Sequence, residues 1–290
     1  MSGETIRIAG ASGFWGDAAR STPQLLKDED VDFIVYDYLA EITMSIMARA
    51  RAKNPDNGYA LDFVSAVMKP NLTEIARQSV RIISNAGGVN PRACADALRG
   101  VIAELNLDLK VACVLGDDMI GQRDEIAAQG HKEMFSGDEF PDVSKVASIN
   151  AYLGAFPVAR ALQEGADIVI TGRSVDSAVT LGACIDAFGW GRGDLNQLAM
   201  GSLAGHILEC GPQATGGNYS FFTEVPGMAR VGFPWAEVAA DGSSVIGKHD
   251  GTGGQVSIGT VTSQLLYEIG SPAYLGPDVT ARFDTIRLDE

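Results

Sequence analysis

Five times before residue 180, a short run of β-branched and aliphatic residues gives way to a polar, glycine-rich cluster, and a stretch with helical spacing follows. The runs are IRIAG before ASGFWGD, VDFIVY before DYLAE, VRIISN before AGGVNPR, KVACVL before GDD, and ADIVIT before GRSVDS. Such a rhythm predicts parallel strands over 6–10, 31–36, 80–84, 110–115 and 167–171, with their polar carboxyl ends gathered at one edge. Open α/β folds place ligands at that edge.

Between the strands, apolar residues recur at three- and four-residue spacing over 39–51 and 61–78, separated by a turn at 54–58, which predicts a long helical crossover. Further helices are predicted over 22–27, 151–164, 176–188 and 195–209, and one after the third strand opens on Asn90 and Pro91, a polar cap followed by proline at the first helical position. The acidic, turn-rich stretch from 130 to 143 reads as a surface loop or lid. Past residue 210 the texture changes: strands are predicted over 219–224, 235–239 and 244–248, with a hairpin turn at Asp241-Gly242, then a helix over 261–269. The ending FDTIRLDE alternates like a strand without a closing helix, as a fragment of a longer protein would. The expected architecture is an α/β domain over 1–210, with a mainly parallel sheet and helices on both faces. A mixed, strand-richer region over 211–290 completes or caps the site. An α/β barrel is the alternative, since strand-helix units alone do not show whether a sheet closes.

Composition narrows the partners. A chain of 290 residues with 46% hydrophobic residues is long enough for a substantial core, and its net charge of −15 opposes nucleic acid and anionic membrane surfaces. An anionic small molecule would then need a local patch of Arg, Lys and backbone N–H groups. No apolar run is long enough to span a bilayer, and MSGETIRIAG lacks the pattern of a signal peptide. Cys94, Cys113, Cys184 and Cys210 are scattered without a paired motif, as expected of reduced thiols in the cytoplasm. Self-association into a homo-oligomer is left open.

The strand-end loops differ in their chemistry. Gly10, Gly13 and Gly16, with Asp37 after the second strand, match a dinucleotide-binding turn, but Asp17, Ser21 and Pro23 interrupt the helix that should follow. The third loop offers Asn85, Gly87, Gly88, Asn90 and Arg92 at a helix start, suited to an anion. The fourth carries Asp117 and Asp118, adjacent carboxylates that could bind a divalent cation, hold a hydroxyl or act as a base. In the fifth, Arg173 could pair with a carboxylate or phosphate while Asp176 orients it. Proton-transfer candidates come later. His206 and Cys210 lie four apart on a predicted helix with Glu209 beside them, the minimum for a thiolate nucleophile or part of a zinc set. Lys248, His249, Gly253 and Gly254 fall in KHDGTGG, a loop suited to close ligand approach, with His249 as general acid or base. Nothing in the sequence requires a cofactor.

Several long segments resemble the acyclic terpene utilisation family AtuA: GFWGD at 13–17, DYLAEITMSIMARARAKNPDNGYALDF at 37–63, SNAGGVNPRAC at 84–94, GADIVITGRSVDSA at 165–178, GHILECGPQATGGN at 205–218, and KHDGTGG at 248–254. The resemblance spans nearly the whole chain. It implies a place in bacterial catabolism of citronellol- and geraniol-type terpenes, through branched acyl-CoA thioesters and a biotin-dependent carboxylase. Family members are usually longer, and the family supplies no agreed catalytic residue. The expected function is therefore an enzyme acting on a carboxylate or acyl-CoA intermediate by hydratase, lyase or hydrolase chemistry. Asn85, Arg92 and Arg173 would hold the anionic group, with His249 or His206 moving protons. The alternatives are an NAD(P)-dependent oxidoreductase and an accessory subunit of the same pathway. Both histidine segments are expected to fold over the strand ends, near Asn85 and Arg173.

Overall fold

The computed structural model describes residues 5–290; the first four residues of the amino-terminal segment read above lie outside it. Five hydrophobic runs form parallel strands, β1 (Thr5–Gly10), β2 (Phe33–Tyr36), β3 (Arg81–Ser84), β4 (Val111–Val114) and β5 (Ile168–Thr171). All four residues of β2 and of β5 are buried. Continuous apolar sequence is what a parallel strand needs when helices cover both its faces. Two antiparallel strands, β6 (Pro234–Ala239) and β7 (Ser244–Lys248), extend the same sheet beside β1, giving the order β4-β5-β3-β2-β1-β6-β7. The sheet is open, with β4 and β7 at its edges among the described residues, so the barrel alternative does not hold.

Alternate residues of each strand face opposite layers. Ala9, Ile34, Tyr36, Ile82 and Ile170 pack with helices α1 (Ala18–Leu25), α2 (Glu41–Lys53), α3 (Lys69–Gln78) and α4 (Pro91–Glu104). Ile8, Phe33, Val35, Ile83 and Val169 pack with α6 (Phe156–Gln163), α7 (Ala178–Phe188) and α8 (Leu195–Leu208); the short α5 (Arg123–Ala128) precedes α6. A third, smaller cluster joins Leu203 and Ile207 of α8 to Val261 and Leu265 of α9 (Ile258–Leu265). The two short strands β8 (Ala273–Leu275) and β9 (Thr280–Arg282) form a separate pair. Among the described residues no helix is long and apolar enough to cross a membrane.

Helix sidedness locates the functional edge. The chain leaves β3 for α4 on one face and leaves the neighbouring strand β5 for α7 on the other. Where adjacent connections diverge, a crevice opens at the carboxyl ends of the strands. Here it lies between the loops after Ser84 and Thr171.

Several elements differ from the sequence expectation, each for a local reason. The helix at 61–78 opens with a π-helical turn, Phe63–Met68, before α3, because Pro70 has no amide for a regular helical bond. The first helix begins at Ala18 rather than 22 and keeps Pro23 inside, with the Ser21 hydroxyl bonded to the Ala11 and Ala18 carbonyls. The helix at 151–164 starts only at Phe156, since Leu153 pairs with the chain around Ser174 and the Ala155 amide donates to Asp278. Residues 219–224 are not a strand; Glu224 and Val225 turn back on the carbonyls of Phe221 and Phe222. A capping box on Ser257 moves the last helix to Ile258–Leu265. Beyond β9 the chain makes a short turn at Phe283–Thr285 instead of continuing as a strand.

Gly87 shows how tightly the crevice is built. A Cβ there would lie 2.4 Å from the Thr171 carbonyl oxygen and 2.6 Å from Pro91 Cβ. Gly87→Ala is therefore expected to destabilise the fold by roughly 1–3 kcal/mol. Gly100→Ala, at an exposed position of α4 with open space around it, should stabilise it by about 0.5–1 kcal/mol. Urea midpoints of the two variants test this, and equal midpoints would contradict it.

Candidate functional site

Arg173 follows β5 and is 5% exposed. Its guanidinium donates to Asp176 Oδ1 and to the Leu39 carbonyl, both at 2.8 Å, and lies 4.4 Å from the centre of the Tyr152 ring. Glu41 Oε1, which accepts the Tyr152 hydroxyl at 2.6 Å, stands 3.6 Å away. The Arg173 amide donates to Asp117 Oδ2 at 2.8 Å, and the Asn150 side chain donates to the same oxygen at 2.8 Å. The loops after β2, β4 and β5 thus meet on one residue.

Around this cation gather more carboxyls than it can neutralise. Asp37, at the end of β2, takes a hydrogen bond from Asn85 Nδ2. Burial pushes its carboxyl up to about 6 against that bond, and the charge of Glu209 adds to the rise. Asp176 is raised to about 7 by burial and then by Asp37, with Arg173 opposing. Glu209, 6% exposed, is raised to about 7 by burial, and neighbouring His206 opposes the rise. Glu209 Oε1 lies 3.1 Å from His206 Nδ1, while Oε2 is buried without a partner.

His206 is 2% exposed; its Nε2 is 3.2 Å from the Leu265 carbonyl and its ring packs on Tyr274 and Phe283. Burial works most strongly against its charged form, but the contact with Glu209, that carboxyl's charge and the carbonyls of Leu265 and Gln264 together outweigh it and the histidine is raised. Cys210 moves the other way for a nucleophile. Burial, then the charges of Glu209 and Asp37, push its thiol well above the usual range.

The remaining sequence candidates fall into separate places. Asn85 is fully buried and committed on both sides, its oxygen accepting the Tyr38 amide at 2.7 Å. Asn90 does not cap its helix; its amide pins the carbonyls of Pro55 and Asn57 at 2.9 Å. Gly87 and Gly88 admit Pro91 and Met47 at close range, and Gly88 has φ of 53°. Arg92 is exposed at the start of α4. Asp118 is exposed and reaches Arg51 at 3.3 Å. Among the described residues no three His, Cys, Asp or Glu side chains stand close enough to hold a metal ion.

His249 goes elsewhere. Its Nδ1 meets Asp28 at 2.8 Å and Asp30 at 3.8 Å, in the segment between α1 and β2. Lys248 folds onto the Thr252 carbonyl at 3.1 Å, and Gly253 and Gly254 pack against the backbones of Gly227 and Thr215. Of the two histidine segments expected over the strand ends, the one that reaches the acid cluster is that of His206.

The first glycine loop is filled by the chain itself. Cβ atoms at Gly10 and Gly13 would lie 2.4 Å and 2.5 Å from the carbonyl oxygens of Leu208 and Cys210, so these glycines let the end of α8 sit on β1. The Gly13 amide is taken by Asp17 at 2.8 Å. A pyrophosphate in the usual dinucleotide position would have to displace this backbone.

Beside Arg173 opens a cavity of about 490 Å³ whose wall includes Glu41, Arg49, Lys145, Asn150 and Tyr152. Sequence reasoning passed over Glu41, Asn150 and Tyr152, which carry no motif. It mentioned Asp37 and Glu209 only for other roles.

Raised carboxyls have a consequence for stability. From about pH 4 to 7 the folded chain retains protons on Asp37, Asp176 and Glu209 that the unfolded chain has released, so stability falls as pH rises through that window. His206, also raised, adds stability that is complete below its ordinary 6.5 and is lost as pH climbs past its folded value. The urea midpoint is expected to be higher at pH 5 than at pH 8, with a shallower decline in Glu209→Gln. A midpoint that rises over this range would contradict the assignment.

A family model described as "Acyclic terpene utilisation family protein AtuA" matches residues 6–290. No curated protein and no solved structure matches the chain.

Proposed function

The chain belongs to the acyclic terpene utilisation family AtuA, and from that membership we propose that it catalyses hydration or dehydration of a branched carboxylate or acyl-CoA thioester. The observation that carries this reading is the cluster of Asp37, Asp176 and Glu209 around Arg173, with carboxyls held at about 6, 7 and 7. A carboxyl poised near neutral pH can both take and give a proton, which general acid–base catalysis requires. Buried carboxyls that raise one another are what such a site builds.

In the dehydration direction, ionised Asp176 takes the proton alpha to the substrate carbonyl. The electron pair forms the double bond, and protonated Glu209 delivers a proton to the departing hydroxyl, which leaves as water. Asp176 then releases the proton it took to solvent, and His206, beside Glu209, hands Glu209 a proton drawn from solvent. Arg49, Lys145 and Arg173 line the adjoining cavity and favour an anionic substrate despite the net charge of −15. Thiolate-based hydrolysis fits less well, because burial, and after it the charges of Glu209 and Asp37, keep Cys210 protonated.

Incubation with branched β-hydroxy and α,β-unsaturated acyl-CoA thioesters, or their free acids, is expected to give products differing by one water in mass spectrometry. Deuterium should exchange at the alpha carbon. Asp176→Asn should lower kcat by roughly a hundredfold or more, while Glu164→Gln, exposed just past the carboxyl end of α6, should leave it unchanged. Turnover that survives intact in Asp176→Asn, or no exchange with any of these compounds, would rule the reading out.

A further inference from the structure

A second cavity, of about 470 Å³, is lined in part by Pro212, three residues beyond Glu209. Its wall includes Phe14, Asp17, Arg20, Pro212, Arg230 and Phe233, with Thr252 of the loop after β7. We propose that it binds a phosphorylated nucleoside, and that this is the nucleotide end of the coenzyme A thioester on which the acid cluster acts. The second half of that statement rests on the function proposed above. The first half does not.

Three observations converge on the ligand class. Asp17 is 9% exposed and one of its oxygens accepts the Gly13 amide at 2.8 Å, while Oδ1 is buried with no partner. A buried acceptor left unsatisfied costs free energy that a ligand N–H or O–H would recover. Arg20 and Arg230 are both exposed on the same wall. Arg20 spends one nitrogen on the Ala229 carbonyl at 3.3 Å, and no side-chain partner holds Arg230 among the described residues. Two guanidiniums call for more negative charge than one carboxylate carries, and phosphate oxygens match their geometry. Phe14 is 67% exposed at the rim, an aromatic face of the kind on which a base stacks.

A nucleoside phosphate satisfies all three: phosphates for the arginines, a ring for Phe14, and an amine or ribose hydroxyl for Asp17. A simple anion would leave Asp17 and Phe14 unused. The volume is also in the range of small-molecule sites.

Placement supports the link to the acid cluster. Glu209 and Cys210 face the cluster and Pro212, two residues on, faces this cavity. The Ser12 hydroxyl, in the same loop as Phe14 and Asp17, donates to the Asp37 carbonyl at 2.7 Å. A ligand held here by its nucleotide would therefore have its chain end on the edge of the sheet that carries the carboxyls.

The test is calorimetric titration of the full chain with coenzyme A, adenosine 3′,5′-bisphosphate and inorganic phosphate, using wild type, Arg20→Ala and Arg230→Ala. Both arginines are at the surface, so the variants should fold. Coenzyme A and the bisphosphate are expected to bind, each arginine variant weakening them by roughly tenfold or more, and phosphate alone should bind far more weakly. Affinity unchanged in both variants, no binding of either nucleotide, or phosphate binding as tightly as the nucleotides would overturn the site. Arginine-dependent nucleotide binding without thioester turnover would keep the site and discard the proposed reaction. Turnover with KM unaltered in both variants would do the reverse.

Discussion

Burial of the Arg173 guanidinium under the carboxyl ends of the sheet is the constraint on which the crevice depends. A cation taken out of water needs neighbouring acceptors and countercharge. Here they come from three separate loops: Leu39 after β2, Asp176 in the loop of Arg173 itself, and Asp117 after β4, which fixes the backbone. The close approach of β3 and β5 at Gly87 leaves no alternative position for the loop. Having fixed the cation, the fold supplies acids in excess. Burial raises Asp37, Asp176 and Glu209, and their charges on one another add to it, so the cluster retains protons to unusually high pH.

Much of the scaffold was legible because its physics is local. Strands buried on both faces must be apolar throughout, so VDFIVY and ADIVIT declared themselves, and Pro91 after Asn90 marked the start of α4. A boundary failed where a tertiary contact competed, as at Leu153, whereas the span 61–78 is helical as expected and only its pitch changes ahead of Pro70. The mainly parallel sheet with helices on both faces was legible in the same rhythm of strands and helices, but its strand order and openness at the edges were not fixed by it. Closure depends on which strands pair, and no run of residues records that β6 turns antiparallel beside β1.

The site was legible in part and for the same reason. Arg173 and Asp176 share a loop, so their partnership could be read from the sequence. Asp37 and Glu209 lie far apart along the chain, and only the winding of α8 onto β1 brings their charges within reach of each other. Glycines misled most readily. Gly10 and Gly13 look like a phosphate loop because a phosphate and a neighbouring backbone make the same demand, close approach without a side chain. Histidines misled as well: His249 has the right intrinsic chemistry, yet a turn closed by Lys248 and Thr252 leaves it paired with Asp28, between α1 and β2, rather than with the acid cluster.

The end of α8 is where these threads join. Because Gly10 and Gly13 admit Leu208 and Cys210, the segment from Leu208 to Pro212 lies directly against the end of β1 and the loop that follows it. Glu209 is thereby forced into a dry position beside Asp37, and its raised carboxyl follows from that desolvation rather than from any special partner. On the other flank the displaced glycine loop exposes Phe14 and leaves Asp17 with one oxygen unpaired. One packing decision, small residues under a helix end, thus produces both a cluster fitted for proton transfer and a polar cavity beside it. A larger residue at Gly13 would lift the helix end and rehydrate Glu209, so the acidity of the cluster and the shape of the second cavity should change together.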